Sequence, residues 1–132
     1  MRNADEKQHP SQAAAYRLSA LLLGAGVLHF ASPKFFDSTV PPQLPGEART
    51  YTYVSGAAEL AIGSALAVPR TRRVGAGLAA ALFVAVFPAN IQMAVDWWRS
   101  DKTTQAQKIG ALVRLPLQIP LVTQALAARR RA

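Results

Sequence analysis

The run VGAGLAAALFVAVFPANIQMAV, residues 74–95, is the most informative stretch of this chain. It contains no Asp, Glu, Lys or Arg, and as an α-helix it would cover ~33 Å at 1.5 Å per residue. The hydrocarbon core of a bilayer is about 30 Å thick, so an uncharged helix of this length is typical of a transmembrane span. We therefore interpret residues 74–95 as a transmembrane helix.

Three further apolar segments have a similar character, at residues 14–31, 51–68 and 109–128. A signal peptide is the alternative for the first of them, because its apolar core is short and basic residues precede it. No small-x-small cleavage site follows cleanly, which favours a retained helix. The sequence thus predicts an all-α fold, a four-helix transmembrane bundle.

The remaining segments are polar. Residues 1–13 lack an apolar face and are predicted to be a disordered cytoplasmic tail. The stretch 37–49 is interrupted by three prolines and a glycine, which predicts a loop. Residues 129–132 are predicted to form a basic cytoplasmic tail. Residues 14–128 would therefore constitute one membrane domain.

Lys and Arg are distributed unevenly between the two predicted sides. One side would hold both termini and the turn between the second and third helices, with Arg2, Lys7, Arg17, Arg70, Arg72, Arg73, Arg129, Arg130 and Arg131. The other side would hold Lys34, Arg49, Arg99, Lys102 and Lys108. Cytoplasmic loops carry the excess of basic residues, so both the N and C termini are predicted to be cytoplasmic.

Composition agrees with a membrane location. Charged residues make up 17% of the chain, below the ~25% that is usual in soluble domains. The net charge of +8 comes from short basic groups beside apolar segments, which favours contact with the lipid bilayer over nucleic-acid binding. Cysteine is absent, which excludes disulfides and Cys-based metal sites, and no metal site is predicted.

Glycines occur in all four predicted helices, two each in the first three and one in the fourth. Helix association in lipid depends on close backbone approach, which small residues permit. We interpret these glycines as packing positions of a compact bundle.

Polar residues inside the apolar segments are the candidate site residues. They are His29, Glu59, Asn90, Arg114 and Gln118, and the predicted helix directions place all five at similar depth, in the outer half of the membrane. Because polar groups in lipid are costly, such residues are expected to face the bundle interior, a partner or water.

Apart from Arg17 near the start of the first segment, Glu59 and Arg114 are the only strong charges within the predicted spans, and they have opposite sign, so we expect them to interact. Pro88 removes a hydrogen-bond donor from its helix, and nearby Asn90, Gln118 and Arg114 are candidates to supply one. The cluster has two interpretations. It is either a structural ion pair that fixes how four helices pack, or a pocket for a small molecule such as a quinone headgroup, with His29 exchanging a proton.

Several catalytic patterns are missing from the sequence. It contains no P-loop, no HExxH or His-x-x-x-His zinc pattern and no nucleophile elbow. A self-sufficient enzyme is therefore not expected, and any redox role would need a bound cofactor or a partner.

Five pieces of the chain, in order, resemble the DoxX family of small bacterial membrane proteins. They are Gly26-Val27-Leu28-His29-Phe30 with Pro33 and Phe36; Tyr53-Val54-Ser55-Gly56-Ala57-Ala58-Glu59; Pro69 with its basic turn; Phe87-Pro88-Ala89-Asn90-Ile91-Gln92-Met93; and Arg114-Leu115-Pro116-Leu117-Gln118. The resemblance implies a multi-pass protein of the bacterial cytoplasmic (inner) membrane. It also implies an association with membrane redox or stress-response complexes, without specifying one reaction.

Three functional hypotheses follow. The first is a non-catalytic or accessory subunit that binds another membrane or redox protein. The second is a quinone-linked oxidoreductase subunit that binds the headgroup at the polar cluster. The third is a small transporter, which is disfavoured because no inverted repeat is visible.

Overall fold

The computed structural model describes residues 11–132, and the regular elements of this part are all α-helices, which confirms the predicted all-α class. The predicted tail lies mostly at residues 1–10, outside the described residues. The helices, in chain order, are α1 (Ala13–Ala31), α2 (Pro33–Asp37), α3 (Ala48–Ala67), α4 (Arg72–Arg99) and α5 (Gln105–Arg131).

The helices α4 and α5 are longer than the apolar runs that predicted them. The start of α5 is fixed by a capping box, in which the Thr104 hydroxyl accepts from the Gln107 backbone and the Gln107 side chain accepts from the Thr104 backbone. Its end reaches Arg131, so the basic segment predicted as a tail is helical. Cations in the last turn interact favourably with the helix dipole, which explains this extension.

Three helices, α1, α4 and α5, are long and apolar enough to cross a membrane. The fourth long helix, α3, does not meet that description although it has 20 residues. Its first twelve residues include Thr50, Thr52, Ser55 and Glu59, and these polar side chains lower its apolar character.

The long helices pack in two pairs, α1 with α3 and α4 with α5, and contacts of α3 with α4 and of α1 with α5 join the pairs. Glycines permit the close approach of α1 and α3. A Cβ atom on Gly56 would lie 2.7 Å from His29 Cβ, and one on Gly63 would lie 2.9 Å from Leu23 Cγ. The predicted packing role is therefore confirmed for these two glycines.

One end of the molecule, the tail end, holds the start of α1, the α3–α4 turn and the last residues of α5. There Gln12 Nε2 donates to Arg131 O at 2.6 Å, and Arg72 Nη1 donates to Gln12 Oε1 at 3.3 Å. Most of the hydrophobic core lies in this half, including Leu18, Leu66 and Phe83. At the opposite end, the loop end, a smaller cluster of Met93, Ala94 and Ala111 joins α4 to α5.

Arg72 holds the tail end together, a role that the sequence did not reveal. It is 5% exposed, and its guanidinium donates to Leu66 O at 2.8 Å and to Ala67 O at 3.1 Å. The ring of Tyr16 lies 4.8 Å from the guanidinium carbon. Because the last carbonyls of a helix lack helical donors, Arg72 completes the hydrogen bonding of α3 and connects it to α1.

Candidate functional site

His29 and Glu59 form the first part of the site, where α1 and α3 pack closely. The His29 Nδ1 atom lies 3.3 Å from Glu59 Oε2 and 2.7 Å from Ala25 O. His29 is 8% exposed. The short α2 begins at Pro33 and turns back over this position, so that Phe36 stacks on the imidazole with ring centroids 3.7 Å apart. The histidine is thus enclosed on two sides.

The Glu59 carboxylate has one oxygen with unused hydrogen-bonding capacity. Oε2 is buried, and within residues 11–132 no group makes a hydrogen bond to it, although His29 Nδ1 is nearby. The shorter contact of that nitrogen is to the Ala25 carbonyl. A buried carboxylate oxygen without a donor is energetically costly, so this position favours an additional donor.

Asn90 and Gln118 form the second part of the site, between α4 and α5. Both are 6% exposed, and Asn90 Nδ2 donates to Gln118 Oε1 at 3.5 Å. Gln118 Nε2 donates to Phe83 O at 2.6 Å. Phe83 lies five residues before Pro88, where the proline interrupts the helical hydrogen bonding. The carbonyl that Pro88 leaves without a helical donor is that of Val84, so Gln118 donates to the neighbouring carbonyl, and a donor to the freed carbonyl itself stays a prediction.

Arg114 is exposed and does not join either pair directly. It is close enough to attract Glu59 electrostatically, but within the described residues no ion pair shorter than 4.0 Å connects them. The expected interaction is therefore a longer-range attraction. The reason is topological, since α3 packs mainly on α1 and α4, whereas α5 packs mainly on α4 and α1.

A polar cluster that sequence reasoning missed lies nearer the loop end. Asp37 accepts from Thr52 Oγ1 at 2.7 Å and from Arg49 Nε at 2.9 Å. The hydrogen bond from Thr52, followed by the interactions with Arg49, holds the pKa of Asp37 below its ordinary value. No spacing rule indicates this contact, because it joins α2 to α3 across the intervening loop.

A family model described as Domain of unknown function (DUF8561) matches residues 18–129. The chain belongs to this family. The DUF8561 match extends from the first half of α1 to the last turn of α5 and includes all five predicted site residues. No curated protein and no solved structure matches the chain.

Proposed function

We propose that this DUF8561 protein is an integral membrane protein that acts as a non-catalytic, accessory subunit of a membrane complex. The observation that carries the proposal is the position of Arg114. It is exposed about one third of the way along α5, ~14 Å from Gln105.

Four spans are the simplest arrangement of these helices in a membrane. Both α1 and α4 run from the tail end to the loop end, so the chain must return between them. It returns through α3, which packs against both. The basic residues concentrated at the tail end favour a cytoplasmic position for that end and thus for both termini.

The surface around Arg114 is apolar and uncovered. Leu112, Val113, Leu117 and Ile119 are each about half exposed or more, and a Cβ atom on Gly110 would meet nothing within 4 Å. A charge at the bilayer centre costs about 2.5 to 3.5 kcal/mol on insertion scales, and a charge on this face, nearer the outer end, carries part of that cost. A partner helix that presents an acceptor or a carboxylate to Arg114 would remove this cost, which favours a membrane protein as the partner.

The DoxX resemblance supplies the context of this proposal. It supports a membrane redox or stress-response complex in a bacterial cytoplasmic membrane as the assembly that this chain joins. The residues that carry the resemblance include Arg114 and Gln118 of α5, the helix with the uncovered face.

Affinity purification from native membranes in mild detergent tests the accessory role. The wild-type chain should recover a second membrane protein in stoichiometric amount, and Arg114→Leu should recover about tenfold less of it, since the charge-assisted contact is lost. Arg99→Leu is the matched control, because Arg99 is also exposed but lies at the end of α4. Purification of the wild-type chain alone, or equal recovery by Arg114→Leu, would contradict the proposal.

Binding of a quinone headgroup at His29 and Glu59 is the second candidate. The buried Glu59 Oε2, which lacks a hydrogen bond, favours it because a hydroxyl of a reduced headgroup would donate there. Quinone titration of the delipidated protein tests this candidate. Glu59→Ala should weaken binding, whereas Glu47→Ala, which alters an exposed residue outside the site, should not. Equal binding by wild type and Glu59→Ala rules it out.

A further inference from the structure

A cavity of about 400 Å³ lies at the loop end, apart from the polar residues described above. It lies between residues 38–42 and the last turns of α4, and residues of the α4–α5 connection complete its wall. Its size falls within the usual range of small-molecule sites. Apolar groups make up part of the lining, namely Val40, Pro41, Pro42, Met93 and Trp97.

Asp96 supplies the charge of this cavity. Its carboxylate accepts from Gln92 Nε2 at 2.9 Å and from Gln43 Nε2 at 3.3 Å. Both donors are neutral amides, and within residues 11–132 no Lys, Arg or His nitrogen lies within 4.0 Å of it. Asp96 also lies in the last turn of α4, where the helix dipole adds negative potential. The cavity therefore carries a negative charge without a cationic partner, in a chain of net charge +8.

The hydroxyl groups of the cavity act mainly as acceptors towards a ligand. Thr39 Oγ1 donates to Phe36 O at 2.7 Å, and Thr103 Oγ1 donates to Trp97 O at 2.6 Å. Because their protons are already used within the protein, the oxygen lone pairs remain for a ligand. The lining thus suits a molecule that is positively charged or donates hydrogen bonds.

Trp97, which follows Asp96 in the chain, also lines the cavity. An ammonium group over an indole ring is attracted by the ring quadrupole, and tryptophan is the best side chain for this contact. A carboxylate combined with an indole and apolar neighbours selects an organic cation over a hydrated metal ion, because metal ions prefer several oxygen ligands.

We propose that this cavity binds an organic ammonium ion on a short apolar stem. Asp96 neutralises the charge, and Trp97 contacts the ammonium group. The site is independent of the accessory role proposed above and of the Glu59 region. Two sources supply this chemistry, an ammonium-bearing lipid headgroup and a free small amine.

Trp97 fluorescence provides the test. The chain has two tryptophans, so Trp98→Phe leaves Trp97 as the sole reporter in the full-length protein, delipidated in neutral detergent. Choline should change the emission saturably, whereas its uncharged isostere 3,3-dimethyl-1-butanol should not. Asp96→Asn should weaken choline binding about tenfold. Asp101→Asn, a nearby exposed carboxylate that does not line the cavity, should leave binding unchanged.

Equal responses to choline and its isostere would overturn the proposal, and this comparison needs no Asp96 variant. Equal choline binding by Asp96→Asn would overturn it as well. The choline response in nanodiscs of different lipids distinguishes a lipid headgroup from a free amine as the natural ligand. If the choline response is lost in phosphatidylcholine nanodiscs but retained in phosphatidylglycerol nanodiscs, the lipid headgroup occupies the cavity. Retention of the response in both lipids supports a free amine.

Discussion

The Glu59 carboxylate lies beside a histidine rather than an arginine, although arginine is the stronger electrostatic partner. Backbone packing explains why the neighbour of Glu59 is His29. The absence of a side chain at Gly56 lets α1 approach α3 so closely that His29 lies next to Glu59. Arg114 is on α5, which packs mainly against α4 and α1 rather than against α3. Small residues therefore determine which polar groups meet, and charge acts within that geometry.

A double-mutant cycle can measure this preference. We expect Glu59→Gln and His29→Gln to be non-additive by about 0.5 kcal/mol or more, because the side chains are in contact. Glu59→Gln combined with Arg114→Gln should be closer to additive. The free energy of unfolding can be measured by SDS titration in mixed micelles. A larger coupling for Glu59 with Arg114 would show that the arginine is the principal partner.

Asp37 provides a pH-dependent contact outside the spans. Because its pKa is lowered in the folded protein, its stabilising contribution is present above the ordinary value of about 3.9 and is lost as pH falls through the lower folded value. Thermal denaturation of wild type should therefore show a loss of stability below about pH 4 that is smaller in Asp37→Asn. Asp101→Asn is the control, and an acid response identical in wild type and Asp37→Asn would disprove this contribution.

At the scale of the helix, Gly56 is a position where α1 and α3 pack too closely to accommodate a larger side chain. A Cβ atom there would lie 2.7 Å from His29 Cβ and 2.9 Å from a ring atom of Phe30. We expect Gly56→Ala to destabilise the protein by about 1 to 3 kcal/mol through overpacking. Gly24→Ala should have little effect, since its Cβ would meet nothing within 4 Å. Equal unfolding free energies for the two variants would show that this contact does not limit packing.

The end of α3 depends on Arg72. Replacement by Met keeps much of the side-chain volume but removes the donors to Leu66 O and Ala67 O. Leaving such carbonyls without donors should cost about 1 to 3 kcal/mol. Arg73→Met is the matched control, because Arg73 is the exposed neighbour. In thermal denaturation in detergent, Arg72→Met should have a lower melting temperature than Arg73→Met. Similar melting temperatures would show that the Arg72 hydrogen bonds do not stabilise the protein.

The long helices were predictable because hydropathy and helix breakers are local properties of the sequence. Residues 74–95 lie wholly within α4 for this reason. The short α2 was not predicted, since five residues leave no periodic pattern. The contacts of Asp37 and Arg72 were also missed, because they depend on how loops and turns pack. The site was predicted as five residues at one depth, whereas helix pairing separates it into two pairs and an exposed arginine.

At the scale of the whole molecule, α3 decides the topology. The polar side chains among its first twelve residues make it less apolar than the other long helices. Two of its polar side chains lie against other helices, since Thr52 donates to Asp37 and Glu59 lies beside His29. A helix that shields its polar side chains among its neighbours needs fewer lipid-facing apolar residues. In the proposed four-span arrangement, this shielding would let α3 cross the membrane with fewer apolar residues than α1, α4 or α5.

Cysteine labelling in intact cells tests that arrangement, and the cysteine-free chain makes single reporters straightforward. We expect Gln43→Cys and Lys102→Cys to react with a membrane-impermeant maleimide, because both lie at the proposed outer end. Arg70→Cys and Ala132→Cys should react only after permeabilisation. If α3 does not cross the membrane, positions 43 and 70 lie on the same side and will react alike. Different accessibility at these two positions therefore requires α3 to cross, and labelling of Ala132→Cys from outside would reverse the proposed orientation.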